Sequence, residues 1–561
     1  MTVYRKIVLS WAIVWLTAAS VLAQWTEVAP GIEYRSFTIA GPNRVFVTRM
    51  DRNHPDCIIE SSIGSGYLRD GRETVTGMAN RYQDTINYWG QDWGNRTHVV
   101  AAINGDYFNP STGMPTSGQI HSGWQCRRFM EYSGGSGFVW KLNRDCFIGG
   151  NVRNGTVFDQ QRVYFANGSY MVPTRVNEPR LPNSSEFVVY TCHYAEHTYT
   201  DNNGVEVLVE MSRPLVALPQ DPNLSVDGIV RSIRQNAGST PIPFDHVVLS
   251  ASGSQATQLL NNVAVGDTIK FRWEIKDYGT EGQVPTPPAD WTKAYASIGG
   301  AGYVLKNGIV PSSDWAGNIG AIERHPRTAV AYNDNYVFFV VCDGRSTASI
   351  GMTFTEVGQF CRDYLGATHA ITQDGGGSSA LWVNGQIKNV PSDGPERAVA
   401  NGLLMVNVRA KEVSTRFQSG QPVRTKAVAT PRLGPGNNYG ELPSVPALTT
   451  GTVLNHPLRG VRATGTMWWK VQFGDATGWV DETLLESAVR RVPDFDGDGD
   501  VDQEDFGTFQ RCISGATVPQ SDPSCAAALL DGDDDVDAAD FAIFEACYSG
   551  PRVDYIPGCE E

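Results

Sequence analysis

YVFFVVCDGRSTASIGMTFTEVGQFCRDYLGATHAITQDGGGSS, Tyr336–Ser379, decides how this chain is read. Tyr336–Val341 is a continuous apolar run, the pattern of a strand buried on both faces. It ends in Asp343-Gly344-Arg345. Thr353 and Glu356 stand at capping-box spacing. Phe354, Val357, Phe360, Cys361, Tyr364 and Leu365 follow a helical period, and Gly366 sits where a helix stops. A second strand, His369–Gln373, runs into Asp374-Gly375-Gly376-Gly377-Ser378-Ser379. Strand, helix, strand at this length is the size of a right-handed crossover, which predicts parallel strands. Asp343 and Asp374 then share one sheet edge, the edge where ligands bind in such sheets.

Two carboxylates facing one site can divide acid, base or nucleophile work if their surroundings push their pKa values apart. The glycine run lets backbone N–H groups approach an anion closely, and Ser378 and Ser379 add hydroxyl donors. Arg345 brings positive charge to the same place. Taken singly, a strand-ending Asp is often only a turn former, and a Gly-Ser run only a loop. Their coincidence at both ends of one unit points to a substrate with a sugar-like leaving group and a phosphate.

Outward from this unit, residues 24–409 are strand-rich. Short apolar runs such as Arg44–Thr48, Val99–Ile103, Phe187–Tyr190 and Val205–Val209 alternate with Gly, Asn and Pro turns, and helices are few. The chain has 561 residues, more than one core supports. Its 45 basic and 60 acidic residues are unevenly placed: residues 491–561 hold 18 acidic and 3 basic, leaving 42 of each elsewhere. No excess positive charge is available to neutralise phosphates, which excludes a nucleic-acid binder.

Arg5 and Lys6 precede the apolar run Ile7–Leu22, and Val21 and Ala23 stand at −3 and −1 before Gln24. This is the pattern of a secretory signal over residues 1–23, and the run is short of the roughly 20 residues needed to span a bilayer. The mature chain is expected to be secreted and extracellular, with no transmembrane segment. In an oxidising compartment the ten cysteines default to disulfides.

The acidic tail carries an internal repeat. Val501–Phe506 recurs as Val536–Phe541, Cys512 recurs as Cys547, and Cys525 recurs as Cys559 one residue short. Pairing within each unit, Cys512–Cys525 and Cys547–Cys559, is expected. Asp494, Asp496, Asp498, Asp500, Asp502 and Asp505 occupy positions 1, 3, 5, 7, 9 and 12 of a calcium loop, with Gly499 at position 6. The second loop is weaker: Leu529 holds position 1 and Asp534 position 6, while Asp531, Asp533, Asp535, Asp537 and Asp540 remain. Structural Ca2+ is expected in this module. The paired loops resemble dockerin type I modules, which implies a cohesin-like or cell-surface partner. Between tail and first domain, Trp468-Trp469-Lys470-Val471 and Gly478-Trp479-Val480 look like a bacterial SH3-type barrel, whose tryptophans close its core.

The first domain resembles a known family too. Asn104-Gly105-Asp106-Tyr107-Phe108, Pro326-Arg327-Thr328-Ala329-Val330, Asp343-Gly344-Arg345, Gly351-Met352, Asp374–Ser379 and Arg397…Asn401 occur in the order of the phosphodiester glycosidase domain, the family of N-acetylglucosamine-1-phosphodiester α-N-acetylglucosaminidase. The resemblance covers roughly Val99 to Val408. It implies hydrolysis of a sugar-1-phosphodiester with release of the sugar. Asp343 and Asp374 would be the acid/base pair. Arg327, Arg345 and Arg397 would hold the phosphate, where a planar guanidinium grips two oxygens at once. Asn104, Thr328, Ser378 and Ser379 would bind sugar or phosphate oxygens beside Gly375, Gly376 and Gly377, and Asn401 would orient the loop. The family often reads Asn-Gly-Gly-Phe-Phe where this chain has Asp106 and Tyr107. Asp106 is open to three readings: a sugar-hydroxyl ligand, a metal ligand or a turn cap. His325 is read as structural or exposed before it is read as a proton shuttle. His193 and His197 have zinc-like spacing but lack a clear helix.

The expected architecture is α+β. A sheet-rich mixed catalytic domain with few helices spans 24–410, with its motif-bearing core at 99–408. A linker at 411–420, an all-β SH3-like barrel at 421–487 and a short helical paired calcium-loop module at 493–559 follow. Two readings compete with a secreted glycosidase. One is a non-catalytic glycan or cell-wall adhesion protein, which would be expected to have lost some of Arg327, Asp343, Asp374 or Arg397. The other is a metal-dependent phosphodiesterase, which predicts activity lost on chelation even without the tail.

Overall fold

The run Tyr336–Cys342 forms a strand with all but its first residue buried, as a two-faced apolar pattern requires. The computed structural model describes residues 24–129, 137–149, 152–153, 161–218, 223–277, 280–281, 284–285, 288–311, 322–488 and 492–560. The expected secretory signal lies outside them. Among the described residues no helix is long and apolar enough to cross a membrane.

Tyr336–Cys342 sits in a seven-stranded sheet. The order is Thr26–Ala29, Ile32–Ile39, Asn43–Asp51, Tyr336–Cys342, Arg327–Tyr332, His369–Thr372 and Gly302–Leu305. Neighbours are antiparallel throughout. The expected crossover is present in a modified form. Tyr336–Cys342 and His369–Thr372 run parallel, but Arg327–Tyr332 lies between them and is antiparallel to both. The cause is local. Arg327–Tyr332 and Tyr336–Cys342 form a hairpin across Asn333–Asn335, whose Asn333 Oδ1 accepts from the N–H groups of Asn335 and Tyr336 at 3.0 and 2.8 Å. The chain that follows must therefore return over the hairpin to reach the next free edge.

The helix Phe354–Asp363 makes that return. Thr353 and Glu356 form the expected capping box, and Gly366 leaves the helix at φ 65°. Its apolar face, with Val357, Phe360 and Cys361, packs on Ala329, Ala331, Phe338 and Val340. The alternate residues of the same strands, Val330, Phe339, Val341 and Ile371, face the other way. They meet a second sheet built from Gln386–Ile387, Leu381–Val383, Asn95–Asn104, Asn401–Arg409 and Cys57–Ile63.

An eight-stranded sheet that includes Phe187–Thr191, Val205–Met211, Val226–Gln235 and His246–Ala251 is inserted between the strands of this sandwich. The stretch 421–487 forms a six-stranded sheet from Pro422–Thr425, Thr450–Val453, Val461–Ala463, Thr466–Phe473, Ala476–Asp481 and Leu485–Ser487. Trp469 packs inside it with Val423, Val471 and Phe473. Trp468 and Trp479 do something else: they pack against Ile86 and Phe244 of the preceding unit. The stretch read as a linker is tied down as well, with Ser414 N–H donating to Gly460 O at 2.7 Å and Arg462 N–H to Glu412 O at 2.9 Å.

In the tail, the helices Gln503–Cys512 and Ala538–Cys547 each start from an Asp–Asp capping box, Asp502/Asp505 and Asp537/Asp540. The bridges are Cys512–Cys525 and Cys547–Cys559, as the repeat implied. The other six cysteines, Cys57, Cys126, Cys146, Cys192, Cys342 and Cys361, are unpaired, which corrects the expectation of general pairing. All but Cys146 are buried, where a thiol behaves as a small apolar side chain.

Candidate active site

The site lies where the first sheet presents the carboxyl ends of Tyr336–Cys342 and His369–Thr372. Arg327 opens the strand between them, opposite Cys342. Strands two places apart are separated by roughly 10 Å, so Asp343 and Asp374 leave the sheet about that far apart.

Both backbone polar groups of Asp374 are bonded. Its N–H donates to Gly105 O at 2.8 Å, and its carbonyl accepts from Asn104 Nδ2 at 2.7 Å. Its Oδ2 accepts from Ser378 Oγ at 2.6 Å, and Arg397 Nη1 reaches that hydroxyl at 3.3 Å. Burial raises the Asp374 carboxyl above its ordinary value, against the Ser378 hydroxyl and the Arg397 charge.

Asp343 is held differently. Its Oδ1 accepts from Val390 N–H at 2.8 Å and its Oδ2 pairs with Arg44 Nη2 at 2.9 Å. Burial raises its pKa, while the Val390 N–H, Arg44 and Asn389 oppose the rise. The carboxylate thus ties the 389–390 turn to the strand that carries Arg44.

Asn104 is fully buried and its amide is committed to the protein. Besides Asp374 O, its Oδ1 accepts from Thr328 Oγ1 at 2.8 Å and from Ala380 N–H at 3.1 Å. Asn104 and Thr328 therefore clamp the two sheets under the site. Asn401 orients the neighbouring loop: its carbonyl accepts from Gly105 N–H at 2.9 Å and its Oδ1 from Asp106 N–H at 2.9 Å.

Asp106 lies inside the same knot, 2 % exposed, with Oδ2 accepting from Ser117 N–H at 2.6 Å. Burial pushes its carboxyl up to about 7. The backbone N–H groups of Ser117 and Tyr107 oppose the rise, and the Asp374 charge adds to it.

Three arginines surround the glycine turn. Arg327 is 6 % exposed, donates to Met352 O at 2.9 Å and Glu323 O at 2.7 Å, and lies over the Phe354 ring. Arg345 is exposed, sits at φ 61° and reaches Ser392 Oγ at 3.4 Å. A non-glycine residue in that region is uncommon and costs energy that the surroundings must supply. Arg397 pairs with Asp393 Oδ2 at 2.5 Å. The glycines permit this crowding. A Cβ on Gly377 would stand 2.0 Å from Asp393 Oδ2 and 2.2 Å from Arg397 Nη2, and one on Gly376 would stand 2.9 Å from Arg345 Nη2. Gly376 N–H is committed to Pro326 O at 2.9 Å. Ser379 Oγ is buried with no hydrogen-bond partner among the described residues.

Tyr107 belongs to the site and was missed by sequence reasoning. Burial and the Asp374 charge push its phenol up to about 12, while Arg327 pulls it down, so the ring stands near both. Its position beside Asp106 in the Asn104–Phe108 loop was the available signal. Asp393 was also missed, although its i,i+4 spacing to Arg397 was legible. His325 bonds Glu323 Oε2 at 2.9 Å, outside this cluster. His193 and His197 do not converge: His193 packs against the His121 ring at 4.9 Å, and His197 Nδ1 contacts Ser239 O at 3.0 Å.

In the tail, ligand atoms of Asp494, Asp496 and Asp505 lie within 4.8 Å of one another, as do those of Asp500, Asp502 and Asp505, and those of Asp531, Asp533 and Asp540. Burial, with the charges of Asp540 and Asp533, raises Asp531 to about 7. Such crowding fits a divalent cation held by oxygens. Asp498, Asp535 and Asp537 bond the same loops: Asp500 N–H donates to Asp498 Oδ1 at 3.1 Å, Thr517 N–H to Asp535 Oδ2 at 2.6 Å and Ala539 N–H to Asp537 Oδ1 at 2.7 Å.

Similar proteins share parts of this chain. A stretch of 110 residues, 19% of this chain and 17% of the relative, is 34% identical to the SPbeta prophage-derived uncharacterized protein YomE of Bacillus subtilis. A hypothetical protein from Synechocystis aligns at TM-score 0.44 and 16% identity, over 69% of this chain and 64% of its own. A putative exported protein from Burkholderia pseudomallei aligns at TM-score 0.42 and 18% identity, over 65% and 74%. The catalytic domain of zebrafish N-acetylglucosamine-1-phosphodiester alpha-N-acetylglucosaminidase, auto-inhibited by its pro-peptide, aligns at TM-score 0.31 and 14% identity, over 69% and 84%. Residues 223–406, which carry Arg327, Asp343, Asp374 and Arg397 but not the Asn104–Phe108 loop, match the family model of a phosphodiester glycosidase domain.

Proposed function

We propose that this protein is a secreted hydrolase that releases a sugar from a sugar-1-phosphodiester. One observation carries the reading: Asp374 stands beside a turn of glycines and serines that Arg345 and Arg397 flank, with Arg327 opening the strand next to it. The arginines would neutralise the phosphate, and Ser378 would hold the Asp374 carboxylate in place. Asp374 would take a proton from the attacking water. The bond from the anomeric carbon to oxygen then breaks, and its electron pair leaves on the phosphate, where positive charge stabilises it.

The tail would bind Ca2+ through Asp494, Asp496, Asp498, Asp500, Asp502 and Asp505 in one loop and Asp531, Asp533, Asp535, Asp537 and Asp540 in the other. Its paired loops would dock a cohesin-like or cell-surface partner.

The test is sugar release from a panel of sugar-1-phosphodiesters by the full chain in oxygen-labelled water. Label is expected in the sugar and not in the phosphate. Asp374→Asn is expected to lower turnover by roughly a thousandfold or more with an unchanged fold by circular dichroism. Label in the phosphate would favour a phosphodiesterase, and unchanged turnover in the variant would remove Asp374 from the chemistry.

A further inference from the structure

The inserted eight-stranded sheet and the six-stranded sheet at 421–487 enclose a cavity of about 720 Å³ between them. That lies within the roughly 300–1,000 Å³ usual for small-molecule sites. One wall comes from Val205–Met211, Val226–Gln235 and His246–Ala251, the other from Thr466–Phe473, Ala476–Asp481 and the loop that carries Arg432 and Pro443. Strand alternation makes the first wall: Val207 and Val209 are buried in the core, and the intervening Leu208 and Glu210 line the cavity. Backbone pairing fixes the second. Arg432 N–H donates to Trp479 O at 2.8 Å, and Trp479 N–H donates to Arg432 O at 2.9 Å. Both walls are needed, so neither unit forms this space by itself.

We propose that this cavity is a second ligand site and that it takes a small organic carboxylate with an apolar body. The proposal stands apart from the phosphodiester reading, none of whose site residues lines the cavity.

Much of the lining is apolar, with Leu208, Pro241, Pro431, Leu454 and Phe473 among its residues. The polar groups divide unequally. The acceptors are spent: Glu210 Oε2 accepts from Arg231 Nε at 2.5 Å, and Glu210 Oε1 lies 3.3 Å from Lys470 Nζ. Asp475, the other acid in the lining, stands on an exposed turn. Donors remain. Trp479 is 1 % exposed, and its Nε1, which can only donate, has no hydrogen-bond partner among the described residues. Arg234 forms no ion pair among the described residues. Its Nη1 donates to Thr240 Oγ1 at 2.7 Å, and that hydroxyl donates onward to Glu206. This imbalance selects the guest. A cation would meet Arg231, Arg234, Arg432 and Lys470. A neutral sugar must donate as well as accept, and both Glu210 oxygens are engaged. A wholly apolar guest would leave the buried indole N–H unpaired. A carboxylate offers two acceptor oxygens, which suit a guanidinium and the indole N–H, while its apolar body drives water from the rest of the lining. A guest held by both walls binds only the assembled pair of sheets, so it also stabilises their junction.

The test uses the full chain and four probes in titration calorimetry: 2-naphthoate, octanoate and their neutral amides, 2-naphthamide and octanamide. The acids are expected to fill one saturable site per chain, and the amides to bind about tenfold more weakly. Arg234→Gln is expected to bring the acids down to the level of the amides. Leu454→Trp fills the cavity from the wall of the six-stranded sheet and is expected to abolish binding of all four probes. Saturating acid is expected to raise the melting temperature of the wild type and to leave that of Leu454→Trp unmoved. No saturable binding of either acid up to about 2 mM overturns the proposal. So do amides that bind as tightly as the acids, or wild-type affinity for the acids in Arg234→Gln. If Arg234→Gln does not fold, Leu454→Trp carries the test, and undiminished binding there overturns the assignment to this cavity. Sugar release from a phosphodiester is a separate measurement, and its failure leaves this site standing.

Discussion

Asn104 uses its amide oxygen twice and its amide nitrogen once. Its partners Asp374 O, Thr328 Oγ1 and Ala380 N–H come from two separate stretches of chain, the strand Arg327–Tyr332 and the turn at 374–380. Asn104→Ala would leave these buried groups unpaired, so it is expected to cost on the order of 3 kcal/mol in urea unfolding and to abolish activity through a displaced Asp374. Gly377 is the other residue with no freedom. Gly377→Ala would drive a methyl group into Asp393 and Arg397. The expected result is a rise in KM of roughly tenfold for a phosphodiester substrate with a smaller loss in kcat, as for a weakened ground-state contact. An unchanged KM would place Arg397 outside the binding site. Asp106 also marks stability. Its folded pKa lies above its unfolded value, so the folded state binds more protons between the two. Its contribution is complete below the unfolded value and is lost as pH rises through about 7. Melting temperature is therefore expected to fall from pH 5 to pH 8, and to fall less in Asp106→Asn.

At the scale of elements, the hairpin between the two acid-bearing strands governs the site. It places Arg327 between Asp343 and Asp374 and separates them by a strand. The strands, the helix Phe354–Asp363 and its capping box were legible in Tyr336–Ser379, because each depends on side-chain periodicity and on neighbours three or four residues away. The strand inserted between them was not legible there, because pairing partners are chosen by edges that local sequence does not encode. Asn104 and Asn401 were recognised as site residues, but their roles as clamps depend on atoms that come from residues far along the chain. Thr353→Ala is expected to cost about 1 kcal/mol by chemical denaturation, the usual worth of an N-cap.

At the scale of the molecule, the six-stranded sheet at 421–487 is packed into the first unit. Trp468 and Trp479 bury against Ile86 and Phe244. Asp245, 1 % exposed, accepts from His246 Nδ1 at 2.6 Å and from His456 Nε2 at 3.0 Å across the junction, with Lys470 Nζ at 3.6 Å. Lys470 also pairs with Glu210 at 3.3 Å, so the ammonium supplies the positive charge this acid cluster needs. A chain ending at Arg409 would expose that apolar face and strand the buried Asp245. Its melting temperature is expected to drop by about 5 °C or more in calorimetry. The tail behaves otherwise. Each of its loops is crossed by the segment after the opposite helix, with Arg552 N–H donating to Asp500 and Thr517 N–H to Asp535. Chelation is expected to abolish a separate tail transition and leave the main one in place. A fall in the main transition would tie the metal to the first domain.

The sequence alone determined the strands and the helix around Asp343 and Asp374, the duplication of the tail and the bridges Cys512–Cys525 and Cys547–Cys559, because these rest on local periodicity and on repeated spacing. Only the tertiary structure decided which loop is tied to the backbone of Asp374, what holds Asp343, and that Trp468 and Trp479 face another unit. Those outcomes depend on which distant surfaces exclude water together, and apolar burial carries no label in the chain for its partner.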